Sequence, residues 1–370
     1  MHLSADETFL TVRWPDGAHS RYALQWLRDN DPAGFHPDTQ ERIFDLLSVP
    51  DDLALAEAEA EGETIRLRWT DGAETRLARD WLRAAGSGRR LSTLPPVLPQ
   101  SWDGDFAARL PRHAGPAVLH DDEALTAWLT DLARWGIAVL EDVPCEAGAL
   151  EAVCRRIAHL RETNFGLTFE VRSQPQPINL AYTPMALPLH TDLPNQELPP
   201  GFQFLHTLVN SATGGESLLA DGLRMAEAIR TQAPEHYRAL RDVAIPFRFH
   251  DGGHDIRYRR PVIREDERGE PVEINWNAHL ADSFDMEPEV TAAYYPAYRA
   301  FMALTRDPAY RIALKTRPGE LVGFNNRRTL HGRSAFDPTS GSRHLRGCYL
   351  DWTDLISRLR VLMGNAKASR

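Results

Sequence analysis

Two segments near the start of the chain repeat one pattern of apolar and polar positions. Residues 13–28 and residues 68–83 match at ten of sixteen positions when they are offset by 55. In each copy an apolar segment of strand character meets an Asp-Gly turn, and a short helix carrying Trp26 or Trp81 follows. Because repeated units bury each other's apolar faces, the pattern predicts a duplicated ββα structural unit without chemistry of its own.

A stretch rich in Gly, Pro and Ser follows the repeat and spans residues 86–105. We therefore expect a small N-terminal α+β domain over residues 1–95 and a larger second domain over residues 105–370. The chain has 370 residues, of which 42% are hydrophobic, so it can form one substantial core and a smaller companion.

The larger region combines a few predicted helices with many short strands. Helices are predicted from residue 122 to Gly136, around 147–160 and over 287–305. Strand character is found in IAVLEDVP, GFQFLHTLV, VAIPFRFH, DIRYRRPVI, PVEINW, ELVGFNN and HLRGCYLDW. Residues 164–200 are too irregular for regular structure and are a natural binding loop. The pattern predicts a mainly β fold with helices, a double-sheet jelly roll.

Composition narrows the classes of partner. A net charge of -10 and a pI near 5.8 provide no basic field for phosphate backbones, so we expect no nucleic-acid partner. The three cysteines, Cys145, Cys154 and Cys348, are scattered and odd in number, which is typical of a reducing compartment. No signal-peptide pattern or long apolar run occurs, so we expect a cytoplasmic protein without a membrane partner.

Three His-x-Asp triplets are candidates for metal binding, and they begin at His36, His120 and His190. Side chains at positions i and i+2 of a strand point the same way, so such a pair can share one ion. The triplet alone is a weak signal, and at most one of the three should bind metal. His190, with Asp192, follows a loop bearing aromatic and amide side chains, whereas the other two lie in polar connecting sequence.

A third histidine, His331, directly follows a predicted strand, and Arg343 follows it twelve residues later. Taken singly, each is more often a structural or surface residue. Together with His190 and Asp192 they predict two imidazoles and one carboxylate around Fe(II), with three coordination positions left open. The planar guanidinium of Arg343 matches the distal carboxylate of 2-oxoglutarate.

From about residue 110 to residue 365 the chain resembles the γ-butyrobetaine dioxygenase and trimethyllysine dioxygenase family, within the taurine-dioxygenase-like group. The resemblance is carried by NLAYTPMALPLHTDLP, PPGFQFLHTLVNSATGGESLLADG, NNRRTLHGRSAF and SRHLRGCYLDWTDLISRLR. It implies a double-stranded β-helix core, iron on His190, Asp192 and His331, 2-oxoglutarate against Arg343, O₂ as co-substrate, and a homodimer.

The small N-terminal domain also resembles that family, with one departure. The family's γ-butyrobetaine enzymes usually hold zinc there with three cysteines after a WLRDN segment and a later histidine. Here these positions fall on Asp31, Ala33, His36 and Ala73. A lone histidine cannot build a tetrahedral site, so we expect no structural zinc.

A trimethylammonium group donates no hydrogen bonds, so a protein selects it with aromatic faces. The resemblance places this aromatic cage at Phe165, Phe169, Tyr182 and Tyr349. It places amides for the substrate's anionic end at Asn179, Asn275 and Asn277. Core packing is the alternative role for any single ring, and phenylalanine at two cage positions is a weaker cation binder than tryptophan. We expect His206, His279 and His344 to be structural.

The resemblance and the residues together predict Fe(II)- and 2-oxoglutarate-dependent hydroxylation of a small quaternary-ammonium compound, with γ-butyrobetaine converted to carnitine as the first candidate. Trimethyllysine or a trimethylammonium alkylphosphonate is the alternative substrate. A non-catalytic protein that binds quaternary amines is a further alternative, against which the complete set of His190, Asp192, His331 and Arg343 speaks.

Overall fold

The structure, a computed structural model, describes residues 1–86, 95–172 and 183–364. The chain divides into two units, one ending at Thr93 and the other running from Leu94 to Ala366. None of the described helices combines the length and apolar character needed to cross a bilayer.

The two repeated segments of the first unit fold alike. The first copy contains β1 (His2–Ala5), β2 (Phe9–Arg13), β3 (His19–Ala23) and α1 (Leu24–Asp29). The second contains β4 (Leu55–Glu61), β5 (Thr64–Trp69), β6 (Glu74–Ala78) and α2 (Arg79–Gly86). Each copy is a three-stranded antiparallel sheet. Trp26 of α1 and Trp81 of α2 stack with 5.6 Å between ring centroids, which joins the two copies.

Equivalent hydrogen bonds in the two copies reflect the repeat. The indole Nε1 of Trp14 donates to Ser20 Oγ, and that of Trp69 donates to Thr75 Oγ1, both at 2.9 Å. Thr75 Oγ1 in turn donates to the buried Asp31 at 2.5 Å. A chain of hydrogen bonds therefore links Asp31, which follows the first copy, to the second copy.

Two β-sheets form the centre of the second unit. Its strands are β7 (Arg112–Ala114), β8 (Ile137–Glu141), β9 (Thr168–Val171), β10 (Leu187–His190), β11 (Phe202–Asn210), β12 (Thr213–Gly214), β13 (Ser217–Asp221), β14 (Ile245–His250), β15 (Asp255–Arg260), β16 (Ile263–Glu265), β17 (Pro271–Ile274), β18 (Arg311–Leu314), β19 (Leu321–Asn325), β20 (Thr329–Arg333), β21 (Phe336–Asp337) and β22 (Arg343–Leu350). One sheet has the strand order β7-β8-β19-β11-β22-β9 and the other β10-β20-β13-β18. This pair of sheets confirms the predicted jelly roll.

Helices cover the sheets of the second unit. They are α3 (Gly115–His120), α4 (Asp122–Trp135), α5 (Ala149–Arg155), α6 (Gly222–Gln232), α7 (Pro234–Asp242), α8 (Pro288–Arg306) and α9 (Trp352–Leu362). One core joins α4, α5 and α9 to β11 and β22, and a second joins α6, α7 and α8 to strands of the smaller sheet. The helix α4 has the predicted limits, since Asp121 caps it and Gly136 ends it at φ +73°.

The structure holds more helix than the strand-rich pattern indicated, about 31% against 33% strand. Helices α3, α6, α7 and α9 were not predicted, and α5 is shorter than the segment 147–160. The stretch 164–200, expected to lack regular structure, contains β9 and β10. Tertiary packing stabilises such short elements, which carry little periodicity of their own.

Candidate active site

Two histidines face each other across neighbouring strands. The antiparallel register of β10 and β20 pairs His190 directly with His331, and their ring centroids lie 4.3 Å apart. Both side chains are buried. Directly opposed residues have their Cβ atoms about 5 Å apart, so this register alone lets both imidazoles reach one ion.

Asp192 reaches the histidines by a different route from the one expected. The triplet predicts that His190 and Asp192 share one face of a strand. Instead, β10 ends at His190 and the following residues form a turn, in which Leu193 has φ +58°. Asp192 N donates to Asn326 Oδ1 at 2.7 Å, which holds the turn. The carboxylate returns to within 3.2 Å of His190 Nε2 and 3.6 Å of His331 Nε2.

These three side chains form a donor set that fits Fe(II). Their ligand atoms lie within 4.8 Å of one another, and within the described ranges no other group of His, Cys, Asp and Glu meets this condition. His190 Nδ1 lies 2.8 Å from the carbonyl oxygen of Pro188, which can only accept, so Nδ1 carries the proton. The lone pair of His190 Nε2 is therefore free for a metal.

The protonation states also suit a metal site. Burial is the main cause that lowers the pKa of His331, to about 3, so its imidazole is neutral at physiological pH. Burial opposes ionisation of Asp192, but His331, His190 and the hydroxyl of Tyr349 outweigh it and hold the pKa of Asp192 well below its usual range. A neutral imidazole and an ionised carboxylate are the forms that bind metal.

The larger sheet contributes a buried arginine, Arg343, to the cavity that His190, Asp192 and His331 also line. Arg343 begins β22, and its Nε donates to the carbonyl of Gly215 at 3.2 Å. Burial, with the charge of Arg333 adding to it, lowers the pKa of Arg343 to about 9. No carboxylate of the described residues lies within ion-pair distance of this guanidinium. A small organic anion would offset the cost of burying the charge.

Alternation along β22 brings Arg343, Leu345 and Tyr349 to one face, where they line a cavity together with His190, Asp192 and His331. Position 347 on that face is glycine, and the ring of Phe169 occupies the space, since a Cβ there would lie 2.5 Å from two of its ring atoms. The rings of Phe169 and Tyr349 are 5.0 Å apart.

The predicted binding residues do not all reach the cavity. Phe165, Phe169, Tyr349 and Asn277 line it. Asn275 does not, because Arg260 donates to its amide oxygen and its amide nitrogen donates to the carbonyl of Pro261. The structure therefore does not place Asn275 among the residues that line the cavity. Asn179 and Tyr182 lie outside the described residues.

Several lining residues were not predicted from the sequence, among them Gln203, Phe249, His279 and Arg333. Signals for three of them were present. Phe249 shares the inward face of β14 with Ile245 and Phe247, Gln203 is a polar residue in an apolar strand, and Arg333 lies two positions after His331 on β20.

His279, expected to be structural, lines the cavity, and its ring lies edge-on to that of His190 with 4.9 Å between centroids. Burial is the main cause that lowers the pKa of His279, to about 3. The ring of His279 therefore packs against the ring of His190 as a neutral group. Its sequence context, INWNAHLADS, contains no pattern that would have predicted this position.

Two family models match this chain and together span most of it. The family model "Taurine catabolism dioxygenase TauD, TfdA family" matches residues 98–349, and "Gamma-butyrobetaine hydroxylase-like, N-terminal" matches residues 1–84. This chain belongs to the TauD, TfdA family of dioxygenases. The resemblance predicted from the sequence motifs is thereby confirmed, and the chain is an enzyme.

Curated relatives match nearly the whole chain, and a solved structure shares the fold of the larger unit. A γ-butyrobetaine dioxygenase from Pseudomonas sp. (strain AK-1) is 42% identical over 95% of this chain and 93% of its own length. A mitochondrial trimethyllysine dioxygenase from Gallus gallus is 29% identical, covering 95% and 86%. A crystal structure of a taurine dioxygenase from Burkholderia xenovorans has a TM-score of 0.51 at 18% identity, covering 70% of this chain and 90% of that one, and supports the fold.

Proposed function

We propose that this enzyme is an Fe(II)- and 2-oxoglutarate-dependent oxygenase that hydroxylates γ-butyrobetaine to carnitine. One observation carries the proposal: two imidazoles and one carboxylate meet at the edge of a cavity that also holds aromatic rings and a buried arginine. The similarity to a γ-butyrobetaine dioxygenase at 42% identity favours this substrate.

His190, Asp192 and His331 hold the iron in this proposal, and Arg343 holds the distal carboxylate of 2-oxoglutarate. When bound, iron and 2-oxoglutarate activate O₂ to replace one C–H hydrogen of the substrate by hydroxyl, with release of succinate and CO₂. His190 is fixed for this by its Nδ1–H bond to Pro188. Arg343 is fixed at one end by the carbonyl of Gly215.

The cavity walls select and place the substrate. Phe165, Phe169 and Tyr349 present aromatic faces to a trimethylammonium group, with Tyr182 as a further predicted member of the cage. Asn277 Nδ2 donates to the carbonyl of Thr191 at 3.1 Å and has a second hydrogen for the substrate carboxylate. Positioning of the reacting carbon by both ends then decides which C–H bond is attacked.

Apolar side chains between these polar groups exclude water. They come from both sheets and the surrounding loops: Val171, Leu187, Leu193, Leu205, Leu219, Leu280, Val322 and Leu345. Exclusion of water strengthens the electrostatic interactions inside the site and protects reactive species from side reactions.

We further infer that the enzyme is a cytoplasmic homodimer whose chemistry resides in the larger unit, and that the smaller unit binds no zinc. The backbone N–H groups of Asp38 and Thr39 donate to His36 Nδ1, so that nitrogen already has partners. Light scattering measures the subunit number. Elemental analysis measures zinc, and one equivalent per chain would contradict this inference.

The decisive experiment is a substrate panel under Fe(II), 2-oxoglutarate and air. Succinate and hydroxylated product are quantified with γ-butyrobetaine, trimethyllysine and a trimethylammonium alkylphosphonate. We expect one succinate per carnitine with γ-butyrobetaine and no coupled product with the other two compounds. Stoichiometric formation of succinate and hydroxylated product from one of the other compounds would instead identify that compound as the substrate. An Arg343→Met variant provides the control, because it should require far more 2-oxoglutarate while its substrate preference stays the same.

No succinate from any member would contradict the proposal, provided that the protein binds metal. It would favour the non-catalytic alternative, a protein that binds quaternary amines without turnover. Calorimetric titration with γ-butyrobetaine would then measure such binding directly.

A further inference from the structure

Asp192 is held differently from the two histidines of the site. His190 and His331 lie on paired strands whose register fixes their backbones. Asp192 lies beyond the end of β10, and the next residue, Leu193, has φ +58°, a conformation that costs a residue with a Cβ about 1 kcal/mol. Contacts from elsewhere must therefore set the position and rotation of this carboxylate.

Tyr349 makes the contact that sets the rotation. Its hydroxyl donates to Asp192 Oδ2 at 2.7 Å. A hydrogen bond to an ionised carboxylate is among the stronger kinds in proteins. Tyr349 is 3% exposed and lies on β22, where it pairs directly with Gln203 of β11, so the donor is anchored to an interior strand of the larger sheet.

Asn326 makes the contacts that set the main chain. Its Oδ1 accepts from Asp192 N at 2.7 Å, and its Nδ2 donates to Asp192 O at 3.0 Å and to Pro200 O at 3.1 Å. The side chain is fully buried. The amide thus pairs with both backbone groups of Asp192, as a neighbouring strand would, at the place where β10 has ended.

We propose that Tyr349 and Asn326 are positioning residues that hold Asp192 in its metal-binding pose. Tyr349 also joins two parts of the site, because its ring is a wall of the proposed cage while its hydroxyl holds the carboxylate. The inference rests on the proposed iron site and adds to it the groups that orient one ligand. Outer groups of this kind change metal affinity by about 10- to 100-fold when they are removed.

The first test separates the hydroxyl of Tyr349 from its ring. Tyr349→Phe keeps the aromatic face and removes the hydroxyl that donates to Asp192. We expect Mn(II), measured by isothermal titration calorimetry in the presence of 2-oxoglutarate, to bind about 10-fold more weakly. The KM for γ-butyrobetaine should change by less than about 2-fold, since the ring face is retained.

Phe169→Leu is the matched control for this test. Phe169 packs on Tyr349 with 5.0 Å between centroids, and its hydrocarbon ring has no group to offer Asp192. We expect this variant to raise the KM for γ-butyrobetaine several-fold and to leave Mn(II) affinity unchanged. A purely structural role for Tyr349 would instead move both quantities together.

The second test compares two adjacent asparagines. Asn326→Ala removes the partner of the Asp192 backbone, and we expect at least about 10-fold weaker Mn(II) binding. Asn325→Ala removes an acceptor for the backbone N–H of Arg327 in the same turn and does not touch Asp192. This second variant should lower the melting temperature and retain Mn(II) affinity.

The outcomes distinguish failure of the inference from failure of the proposed function. Wild-type protein that binds no Mn(II) would overturn the iron site itself. Wild-type binding together with unchanged Mn(II) affinity in both Tyr349→Phe and Asn326→Ala would leave the iron site in place and refute their positioning roles. Thermal melting of each variant identifies any that fails to fold, and the remaining variant then decides.

Discussion

Two residues of the cavity, Arg343 and His331, bury polar groups that a bound ligand would stabilise. The guanidinium of Arg343 is 8% exposed and has no carboxylate partner among the described residues. His331 is 9% exposed, and its Nδ1 makes no hydrogen bond within the described chain. Burying such groups is costly, so a bound metal and a bound oxo acid should each stabilise the native state.

Substitution of His331 by alanine should remove turnover without unfolding the protein. The imidazole is one of three proposed iron ligands, and the loss of one ligand leaves a weak site. Thermal melting with and without Mn(II) measures the effect: the wild type should gain stability from the metal and His331→Ala should not. The exposed His250 provides a control, since His250→Ala should behave as the wild type. Retained turnover in His331→Ala would contradict the ligand assignment.

Gly347 should control the shape of the cavity through one neighbour. In Gly347→Ala the new Cβ would lie 2.5 Å from two ring atoms of Phe169, so the ring must move. We expect the KM for γ-butyrobetaine to rise by about 10-fold, which corresponds to about 1.4 kcal/mol of lost binding. Gly252→Ala is the control, because a Cβ there meets nothing within 4 Å. Equal KM values for the two variants would show that Phe169 does not hold the substrate.

At the scale of elements, the loop between β10 and β11 lacks regular structure and is fixed by arginines. Arg260 donates through Nε to Pro194 O at 2.9 Å and through Nη2 to the carbonyls of Gln196 and Glu197. Arg327 donates to the carbonyl of Pro199. Buried carbonyl groups that would otherwise lack partners are thereby satisfied, which keeps the segment after Asp192 in place.

Removing one of these arginines should destabilise the whole unit. Arg260→Met leaves the loop carbonyls and the buried Glu273 without this partner, and we expect a loss of about 3 kcal/mol in the free energy of unfolding. Urea denaturation measures it. Arg259→Met is the matched control, because the neighbouring side chain is 44% exposed and pairs with an exposed Asp285, so its change should stay within about 0.5 kcal/mol. Similar losses in both variants would contradict the role of Arg260.

The elements show what the sequence can and cannot predict. Strands such as β11, β14 and β19 were predicted because alternation, or β-branched and aromatic residues, can be recognised within a short segment. The helix α4 was predicted because its acidic start and its terminal glycine bound one amphipathic segment. The turn at Asp192 was not predicted, because it depends on Asn326, 134 residues away. The sequence likewise gives no sign that the side-chain amide of Asn275 contacts Arg260 and Pro261, because these hydrogen bonds form only in the folded chain.

At the scale of the whole molecule, burial of neutral imidazoles links stability to pH. His206 on β11 is fully buried, and neither ring nitrogen makes a hydrogen bond of normal geometry to the described residues. Burial lowers its pKa, and the backbone of Val143 offsets only part of this effect. His279 and His331 are affected in the same direction.

The sign of the pH dependence follows from proton uptake on unfolding. Below the ordinary histidine pKa of 6.5 the unfolded chain binds protons at these positions that the folded chain does not bind, so acid favours unfolding. The stability contribution is therefore fully present above pH 6.5 and decreases as the pH falls below it.

Replacing His206 should make the metal-free protein more resistant to acid. Between pH 7 and pH 5 the wild type should lose more stability than His206→Leu, by at most about 2 kcal/mol at pH 5, because one pH unit corresponds to about 1.4 kcal/mol per proton. Urea unfolding in EDTA at each pH measures the difference. The exposed His120 supplies the control, since His120→Leu should follow the wild-type curve. Parallel curves for His206→Leu and the wild type would mean that His206 takes up its proton in the folded state, and that its burial does not couple folding to pH.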